Sequence, residues 1–580
     1  MNHIRLMSAV FITMFFTFCA VPLSRATIGS VPKIPLYDLF EIKIINSTIY
    51  DNPFADVELN AVFVSPAGRR VRFFGFYDGE AQHGRRGGVW RQRFMPDEVG
   101  VWTYILTFSD GQLGESGRFQ CVSEGGKPGP WRQDPDNRHW FKTASGDHFL
   151  PVAMFANCEY TPMDWRHAVQ WCKAKGFNTL VTRTFNRTVW GEGWKNVTCF
   201  GTANAAKRQV DYDRMNLVMW REWDQMILHA GENGIYIGAF EGPCGKYGGQ
   251  RRGKYPPTQL VMNPGIQDRF DTPRNLKVIR YLVARQGAFW NLAYWSLGNT
   301  EVYAYAVADE KEFLEYGEYF SSITPWGRMI TGQDAEQWHG KNRRWMSKLN
   351  IPVSRKLNTV QTAVENANRP SWGKSNIDDP SFQNAGPNNE LALDSYGGFP
   401  VLTTEGLWEG QDRATKPLRI IWGFFTAGAH TMWADWRYEH PDQHDFGSIG
   451  RGWAPPVKPL DRQQFRLDQL GVDCVGDEQL KIAANATNGL RYWKMTPHNE
   501  LVTRSMEAYC LAEPGVQYLI YAPNGGTVKL DLSETRGEYN VRWLDPRTGD
   551  WLDHPDVQSG KTCKLDAPNG NDWVLFVTKR

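Results

Sequence analysis

Between residues 34 and 122 the apolar positions recur with period two. Glu41-Ile42-Lys43-Ile44 and Val57-Glu58-Leu59-Asn60-Ala61-Val62-Phe63 alternate. The turn signals Asp51-Asn52-Pro53, Pro66-Ala67-Gly68, Tyr77-Asp78-Gly79 and Ser109-Asp110-Gly111 interrupt them at short intervals. Strands of this kind bury one face and wet the other, and at this spacing they predict a β-sandwich. Trp90–Phe94 and Val99–Tyr104 read as the two arms of a hairpin. Gly125-Gly126-Lys127-Pro128-Gly129-Pro130 reads as a linker by composition.

From Phe149 the period changes. Short apolar runs alternate with stretches of helical period, which predicts a parallel sheet covered by helices. The runs are Leu150–Phe155, Asn178–Val181, Ile235–Phe240, Phe289–Ser296, Arg328–Thr331, Asn358–Gln361, Pro400–Thr403 and His430–Trp433. Thr161-Pro162-Met163-Asp164 supplies an N-cap, a first-position proline and a first-turn acid for a helix through Trp165, Ala168 and Cys172 to Gly176. Trp220, Trp223 and Ile227 share a helical face that Gly231 and Gly234 end, and Thr272-Pro273 opens another helix through Leu276, Ile279 and Val283. Eight such units over residues 140–475 predict a (β/α)8 TIM barrel with long loops. After residue 475 the period returns to two in Gln517–Tyr521, Gly526–Leu530, Tyr539–Trp543 and Trp573–Val577, with a turn at Asp545–Gly549. The expected fold class is therefore α/β: a barrel flanked by an N-terminal β-sandwich (34–122) and a C-terminal antiparallel β-sandwich (477–580).

A length of 580 residues fits this division into several cores. The net charge of +2 is spread along the chain, without the basic block or stripe that nucleic-acid binding requires. The N-terminus reads as a secretory signal. Met1–Arg5 is positive, Leu6–Leu23 is apolar, and Ser24-Arg25-Ala26 predicts cleavage after Ala26, so residues 1–26 are a signal peptide and the mature protein is secreted or periplasmic. A single membrane anchor is the alternative. No later stretch is long and apolar enough to span a membrane, so no membrane partner is expected after cleavage. Phe18 before Cys19 is too large for a lipoprotein signal. The other cysteines, Cys121, Cys158, Cys172, Cys199, Cys244, Cys474, Cys510 and Cys563, form no close CxxC pair, which argues against a zinc ribbon and leaves both disulfides and free thiols open.

The candidate chemistry lies at strand ends. Phe289–Ser296 stops at Gly298 and is followed by Asn299, Thr300 and Glu301; Gly398–Gly406 carries Glu405 just past its apolar run. In a (β/α)8 barrel the C-terminal strand ends form the active-site mouth, and strand ends four and seven oppose each other across it. Two opposed carboxylates there suit glycosidic cleavage, one protonating the leaving oxygen and the other attacking or activating water. Glu241 is a reserve for the acid and Glu409 a weaker reserve for Glu405. Asp334, Gln361, Trp408, Trp433, Asp435 and Trp436 also follow or end strands. The tryptophans would stack sugar faces, Trp433 foremost among them, and the polar groups would fix hydroxyls. With 25 tryptophans in the chain, most belong to cores. His430 reads as a core histidine. No HExxH, GxSxG or phosphate-binding glycine loop is present, so neither a metal nor a cofactor is expected.

These features resemble the retaining (β/α)8 glycoside hydrolases that carry an Asn-Glu acid/base after strand four and a Glu nucleophile after strand seven. The whole arrangement resembles a secreted bacterial group with a sandwich of unknown function, an apiosidase-like barrel and a C-terminal collagen-binding-type domain. The N-terminal likeness rests on Asn52-Pro53-Phe54, Gly75–Gly79 and Trp90–Phe94. The C-terminal one rests on Tyr518–Tyr521, Trp543–Gly549 and Asp572–Leu575. The resemblance implies a carbohydrate substrate, with Glu405 as nucleophile and Glu301 as acid/base. One departure stands out: Thr300 separates Asn299 from Glu301. It is the best support for the alternative reading, a non-catalytic carbohydrate-binding or cell-surface protein with a degenerate barrel. A polysaccharide lyase is a third reading, which the paired glutamates disfavour.

Overall fold

The computed structural model describes residues 31–156, 162–182, 199–204, 209–239, 273–296, 310–332, 359–361, 400, 402, 407–409, 417–435, 470–471, 474–503 and 508–580. The period-two stretch at the N-terminus forms two sheets. A five-stranded sheet contains Lys33–Pro35, Leu113–Val122, Gly100–Phe108, Leu59–Val64 and Arg70–Phe74 in spatial order; a three-stranded sheet contains Phe40–Asn46, Gly88–Phe94 and Phe76–Glu80. Their inner faces meet through aromatic rings, Phe63 stacked on Phe94 at 3.9 Å and Phe40 against Phe119 at 4.2 Å. The expected hairpin does not form. Gly88–Phe94 pairs with Phe40–Asn46, whereas Gly100–Phe108 pairs with Leu59–Val64 and Leu113–Val122. The two segments lie in opposite sheets, with Phe94 and Trp102 5.2 Å apart across the core. Each has an apolar face to bury, and crossing between sheets buries both. The connecting carbonyls serve other partners: Trp326 Nε1 donates to Met95 O and Tyr37 N to Pro96 O.

The segment 125–130, expected as a linker, is tied down. Lys127 N donates to Leu36 O, Ser145 N to Pro128 O and the Tyr236 hydroxyl to Gly129 O. A small sheet of Trp131–Gln133, Phe141–Thr143 and His148–Phe149 follows. It packs Trp131 and Phe149 against Tyr236, at the start of the third barrel strand.

The central sheet has eight parallel strands: Ala153–Phe155, Thr179–Thr182, Tyr236–Ala239, Leu292–Ser296, Met329–Gly332, Thr359–Gln361, Leu407–Glu409 and Met432–Asp435. Each of the first six pairs with its neighbour in sequence, the first also pairs with the eighth, and the eighth with the seventh. Among the described pairings, none joins the sixth to the seventh. Gly238 explains one close fit: a Cβ there would lie 2.5 Å from the Tyr294 hydroxyl. The seventh strand differs from expectation. Of Pro400–Thr403, only Pro400 and Leu402 are described, and Leu402 makes an isolated bridge to His430; the ladder with the eighth strand lies later, at Leu407–Glu409. A buried parallel strand shows no alternation that would mark its register, so the longer apolar run drew the assignment.

Among the described residues six α-helices accompany these strands: α1 Pro162–Lys175, α2 Leu217–Glu232, α3 Pro273–Gln286, α4 Glu310–Ile323, α5 Pro417–Thr426 and α6 Gly476–Thr487. Trp165, Ala168 and Cys172 of α1 are buried, as are Trp220, Trp223 and Ile227 of α2. The latter helix runs through Gly231 rather than ending there. A Cβ on Gly231 would meet the Asn291 amide at 3.1 Å, and that amide donates to Ile227 O and Ile235 O, locking helix to strand. Helix α6 packs against α5 and the eighth strand. Lys175 on α1 pairs with its Asp477 and Glu478.

The C-terminal segment forms a six-stranded sheet facing a three-stranded one. The inner strands of the larger sheet are buried on both sides. Cys510, Ile520, Val541, Trp543 and Leu575 fill the space between the sheets, while Leu511, Leu519, Tyr521, Leu544, Val574 and Phe576 join the core shared with the barrel. Trp140 anchors this junction through rings to Phe425 and Tyr492 and an Nε1–H bond to Met495 O.

The N-terminal sandwich meets the barrel through buried charge. Arg285 of α3 is 1% exposed; its Nη1 lies 2.9 Å from Asp78 of the sandwich and its Nη2 2.6 Å from Asp224 of α2. Arg93 reaches Asp224 at 2.9 Å and Glu41 at 2.8 Å, and Arg91 reaches Asp78 at 2.7 Å. Burial alone would raise the Asp78 pKa, but Arg285, Arg91 and Arg221 hold it below the usual carboxylate value. Among the described cysteines none is in a disulfide; Cys121, Cys172, Cys199, Cys510 and Cys563 are buried thiols.

Candidate active site

Parallel pairing places every strand's C-terminal end on one edge of the central sheet. The segments returning from helices to strands are short, at 176–178, 233–235, 287–291, 324–328 and 427–431. The edge formed by the C-terminal strand ends is where a (β/α)8 barrel carries its chemistry.

Most candidate residues follow that edge in the chain. Glu301 and Asn299 come after Ser296, Glu241 after Ala239, Asp334 after Gly332 and Trp436 after Asp435, while Gln361 ends the sixth strand. Glu301, Asn299, Glu241, Asp334, Trp436 and Glu405 lie outside the described residues. Glu405 precedes the Leu407–Glu409 ladder in sequence, so it does not follow the last paired residue of its strand as the other candidates do. Trp408 lies within that ladder.

Three candidates are placed by contact, and all three are buried. Trp433 is fully buried, stacked on Trp171 of α1 at 5.0 Å and 11°, with its Nε1–H donating to Glu409 at 2.8 Å. It fills the layer between the eighth strand and the helices and gives no stacking floor for a sugar. Asp435, one pleat repeat on, is also fully buried and accepts from Gly471 N at 3.0 Å. Residues two apart share a sheet face, so both side chains belong to the helix-side layer.

Glu409 is the third. Its Oε1 accepts from Val475 N and its Oε2 from Gly476 N, each at 2.8 Å, so both oxygens sit on the N-terminal turn of α6. A carboxylate there satisfies free N–H groups and complements the helix dipole. Burial pushes its pKa up, partly offset by bonds from Val475, Trp433 and Gly476. With every oxygen committed, Glu409 is no reserve nucleophile. Glu409→Gln should lower stability by about 1–3 kcal/mol, because the new amide turns a second donor toward a backbone N–H. Turnover should stay at the wild-type level; a thermal melt and an assay on the same sample check both.

His430 lies in the core as expected. It is packed against Trp140 and Phe141, its Nε2 is 3.3 Å from His139 O, and burial pushes its pKa down to about 3. No group of three His, Cys, Asp or Glu side chains suited to a metal occurs among the described residues. No helix among them is long and apolar enough to cross a membrane. The roles of Trp433 and Glu409 escaped sequence reasoning because strand-end position does not say which face of the sheet a side chain takes. The signal present was the spacing of Trp433 and Asp435, which commits them to one face together.

Comparison with known proteins agrees with this architecture. Residues 33–109 match the model of a domain of unknown function, DUF5060, and residues 497–578 match that described as "putative collagen-binding domain of a collagenase". No curated protein matches the chain in sequence. Among solved structures, a "putative glycoside hydrolase" from Bacteroides vulgatus superposes with a TM-score of 0.68 at 16% identity, covering 95% of this chain and 100% of its own. A family 5 glycoside hydrolase from the same organism gives 0.53 at 15% identity over 78% of this chain and 93% of its own. A further glycoside hydrolase gives 0.52 at 14% over 78% and 97%. At these identities the likeness is one of fold. The chain has the fold of these glycoside hydrolase structures, with a C-terminal segment that matches the collagen-binding-type model.

Proposed function

We propose that this protein is a secreted or periplasmic glycoside hydrolase. It cleaves O-glycosidic bonds of plant or algal polysaccharides or oligosaccharides by a retaining double displacement. The observation that carries this reading is the parallel pairing that puts every strand's C-terminal end on one edge of the central sheet, with Glu301 following the fourth strand in the chain. The fold shared with glycoside hydrolase structures supports it.

In this mechanism Glu405 attacks the anomeric carbon while Glu301 protonates the leaving oxygen. Glu301 then takes a proton from water, which releases the sugar from Glu405. A retaining mechanism requires its two carboxyl groups about 5–5.5 Å apart, since the nucleophile must touch the sugar; an inverting pair needs about 6.5–9.5 Å for water. The first step requires a protonated Glu301, which a carboxylate charge beside it would favour. Asn299, Asp334, Gln361, Trp408 and Trp436 are the remaining substrate-binding candidates, and Glu241 replaces Glu301 if Thr300 turns that side chain from the mouth.

A screen for reducing ends released from plant and algal polysaccharides tests the activity. Absence of release across the panel would favour the non-catalytic carbohydrate-binding reading, to which the inserted Thr300 points. Proton NMR of the first-formed anomer tests the stereochemistry: net retention is expected, and an inverted product would remove Glu405 as nucleophile.

A further inference from the structure

The smaller sheet of the N-terminal sandwich docks on the barrel through Asp78 and Arg93, and the inner faces of the two sheets meet each other. The outer face of the larger sheet is therefore turned away from the barrel; at its Arg70–Phe74 edge, Arg280 of α3 covers the Phe74 ring at 4.1 Å. Every second residue of a strand points to that face. Val101, Thr103, Ile105 and Thr107 are exposed, Val101 by 46% and Ile105 by 57%, while Trp102, Tyr104, Leu106 and Phe108 between them are buried.

Strand register assembles this face into rungs. Arg118, Thr103, Val64 and Arg70 lie side by side across four strands, as do Ser116, Ile105, Val62 and Arg72, and Lys33 and Gln120 stand beside Val101. Arg70, Arg72, Arg118 and Lys33 are exposed, and none of them pairs with a carboxylate among the described residues. The acids beside these strands have other partners: Glu58 pairs with Arg280, Asp97 with Arg69, and Glu115 accepts from the Tyr104 hydroxyl. The chain carries no basic block, yet pairing gathers four cations from three separate stretches onto one face. Neighbouring strands lie about 4.8 Å apart, so Arg118 and Arg70 stand roughly 14 Å apart across the face, farther than one small anion spans.

The side chains decide what such a face holds. Among the described residues it exposes no aromatic ring, so it gives no stacking platform for a neutral sugar or a nucleobase and no aromatic anchor for a membrane. Guanidinium groups match carboxylates, and the hydroxyls of Thr103, Thr107 and Ser116 between them suit the hydroxyls of a sugar. We infer that this outer face is a docking surface for an acidic polysaccharide that carries carboxylates along its length, a polyuronate. It holds the protein on the polymer from the side opposite the barrel. As a statement of substrate class this rests on the glycoside hydrolase reading above; as a binding site it does not.

Binding of the whole protein to immobilised polygalacturonate, with neutral galactan as the comparison, tests it. The wild type should bind the polyuronate and not the galactan, and added salt should weaken the binding. The variant Arg70→Gln/Arg72→Gln/Arg118→Gln should keep the wild-type Tm, since all three side chains are exposed. Its Kd should rise roughly tenfold, the combined loss of three exposed ion pairs. Lys43→Gln/Arg85→Gln/Arg86→Gln removes the same charge from exposed positions elsewhere on the sandwich and should leave Kd near the wild-type value. No binding by the wild type, or an equal loss in both variants, overturns the proposal. So does binding to vesicles of phosphatidylglycerol and phosphatidylcholine that the first variant abolishes while polygalacturonate is not bound, which assigns the face to a membrane. A protein that docks on polygalacturonate through this face but releases reducing ends from no polysaccharide keeps the docking site and defeats the hydrolase reading alone.

Discussion

Glu405→Gln should lower glycoside hydrolysis by roughly 10⁴-fold or more and leave the thermal melt unchanged. Gln keeps the shape of the side chain but is not a nucleophile, so the covalent step is lost while the packing is kept. Glu301→Ala should cost less, on the order of 10²–10⁴-fold, as loss of a general acid does. Its rate on a substrate with an activated leaving group should recover with azide, which needs no proton donor and no water activation. Full activity in a folded Glu405→Gln protein would exclude this residue from the chemistry. A large fall in Tm would instead assign it to the scaffold. The contrast with Glu409 is informative. Four residues separate the two carboxylates in sequence, yet Glu409 is spent on the start of α6. Their variants should therefore fail in opposite assays.

Arg285→Met should destabilise the protein by about 3–5 kcal/mol, the usual effect of removing one partner from a buried ion pair. The guanidinium bridges Asp78 of the sandwich and Asp224 of α2 and donates to the Tyr281 hydroxyl at 3.0 Å, and the variant leaves both carboxylates short of charge compensation. Arg285→Lys should recover only part of the loss, since one ammonium cannot reproduce the fork that meets both acids. The acid limb of stability should change as well. Asp78 has a lowered pKa in the folded state. Its contribution is complete above the unfolded pKa and is lost as pH falls through the lower folded value. In Arg285→Met that acid-dependent contribution should shrink. Thermal melts of both variants across the acid range measure this, and a wild-type melt for Arg285→Met would show that the cluster does not couple sandwich to barrel.

Much of the scaffold was readable along the chain because its signals are local. Pro162 at the first position of α1, the apolar face Trp220-Trp223-Ile227 and the strand–helix alternation depend on residues within a few turns of each other. The expected strands Gln517–Tyr521 and Trp573–Val577 fall within strands of the C-terminal sheet, for the same reason. Errors came where a partner far along the chain decides. Trp90–Phe94 and Val99–Tyr104 looked like one hairpin, and only their separate strand partners assign them to opposite sheets. The seventh strand lacks alternation because a parallel strand is buried on both faces.

Local pattern along the chain carries the alternation of strands and helices, the two flanking period-two segments, and the place of Glu301 after the fourth strand. Tertiary structure alone decided what the neighbouring polar and aromatic groups do. Trp433 and Asp435 follow a strand's course as site residues would, but the side of the sheet they occupy is fixed by Trp171 and Gly471. Asp78, Arg93 and Arg285 carry no mark of pairing in the chain, since Arg93 and Arg285 are separated by almost two hundred residues and meet only when the sandwich docks. The physical reason is the same in each case. Backbone propensity and hydrophobic period act over a few residues, whereas burial of a charge or an indole depends on which distant surface comes to cover it.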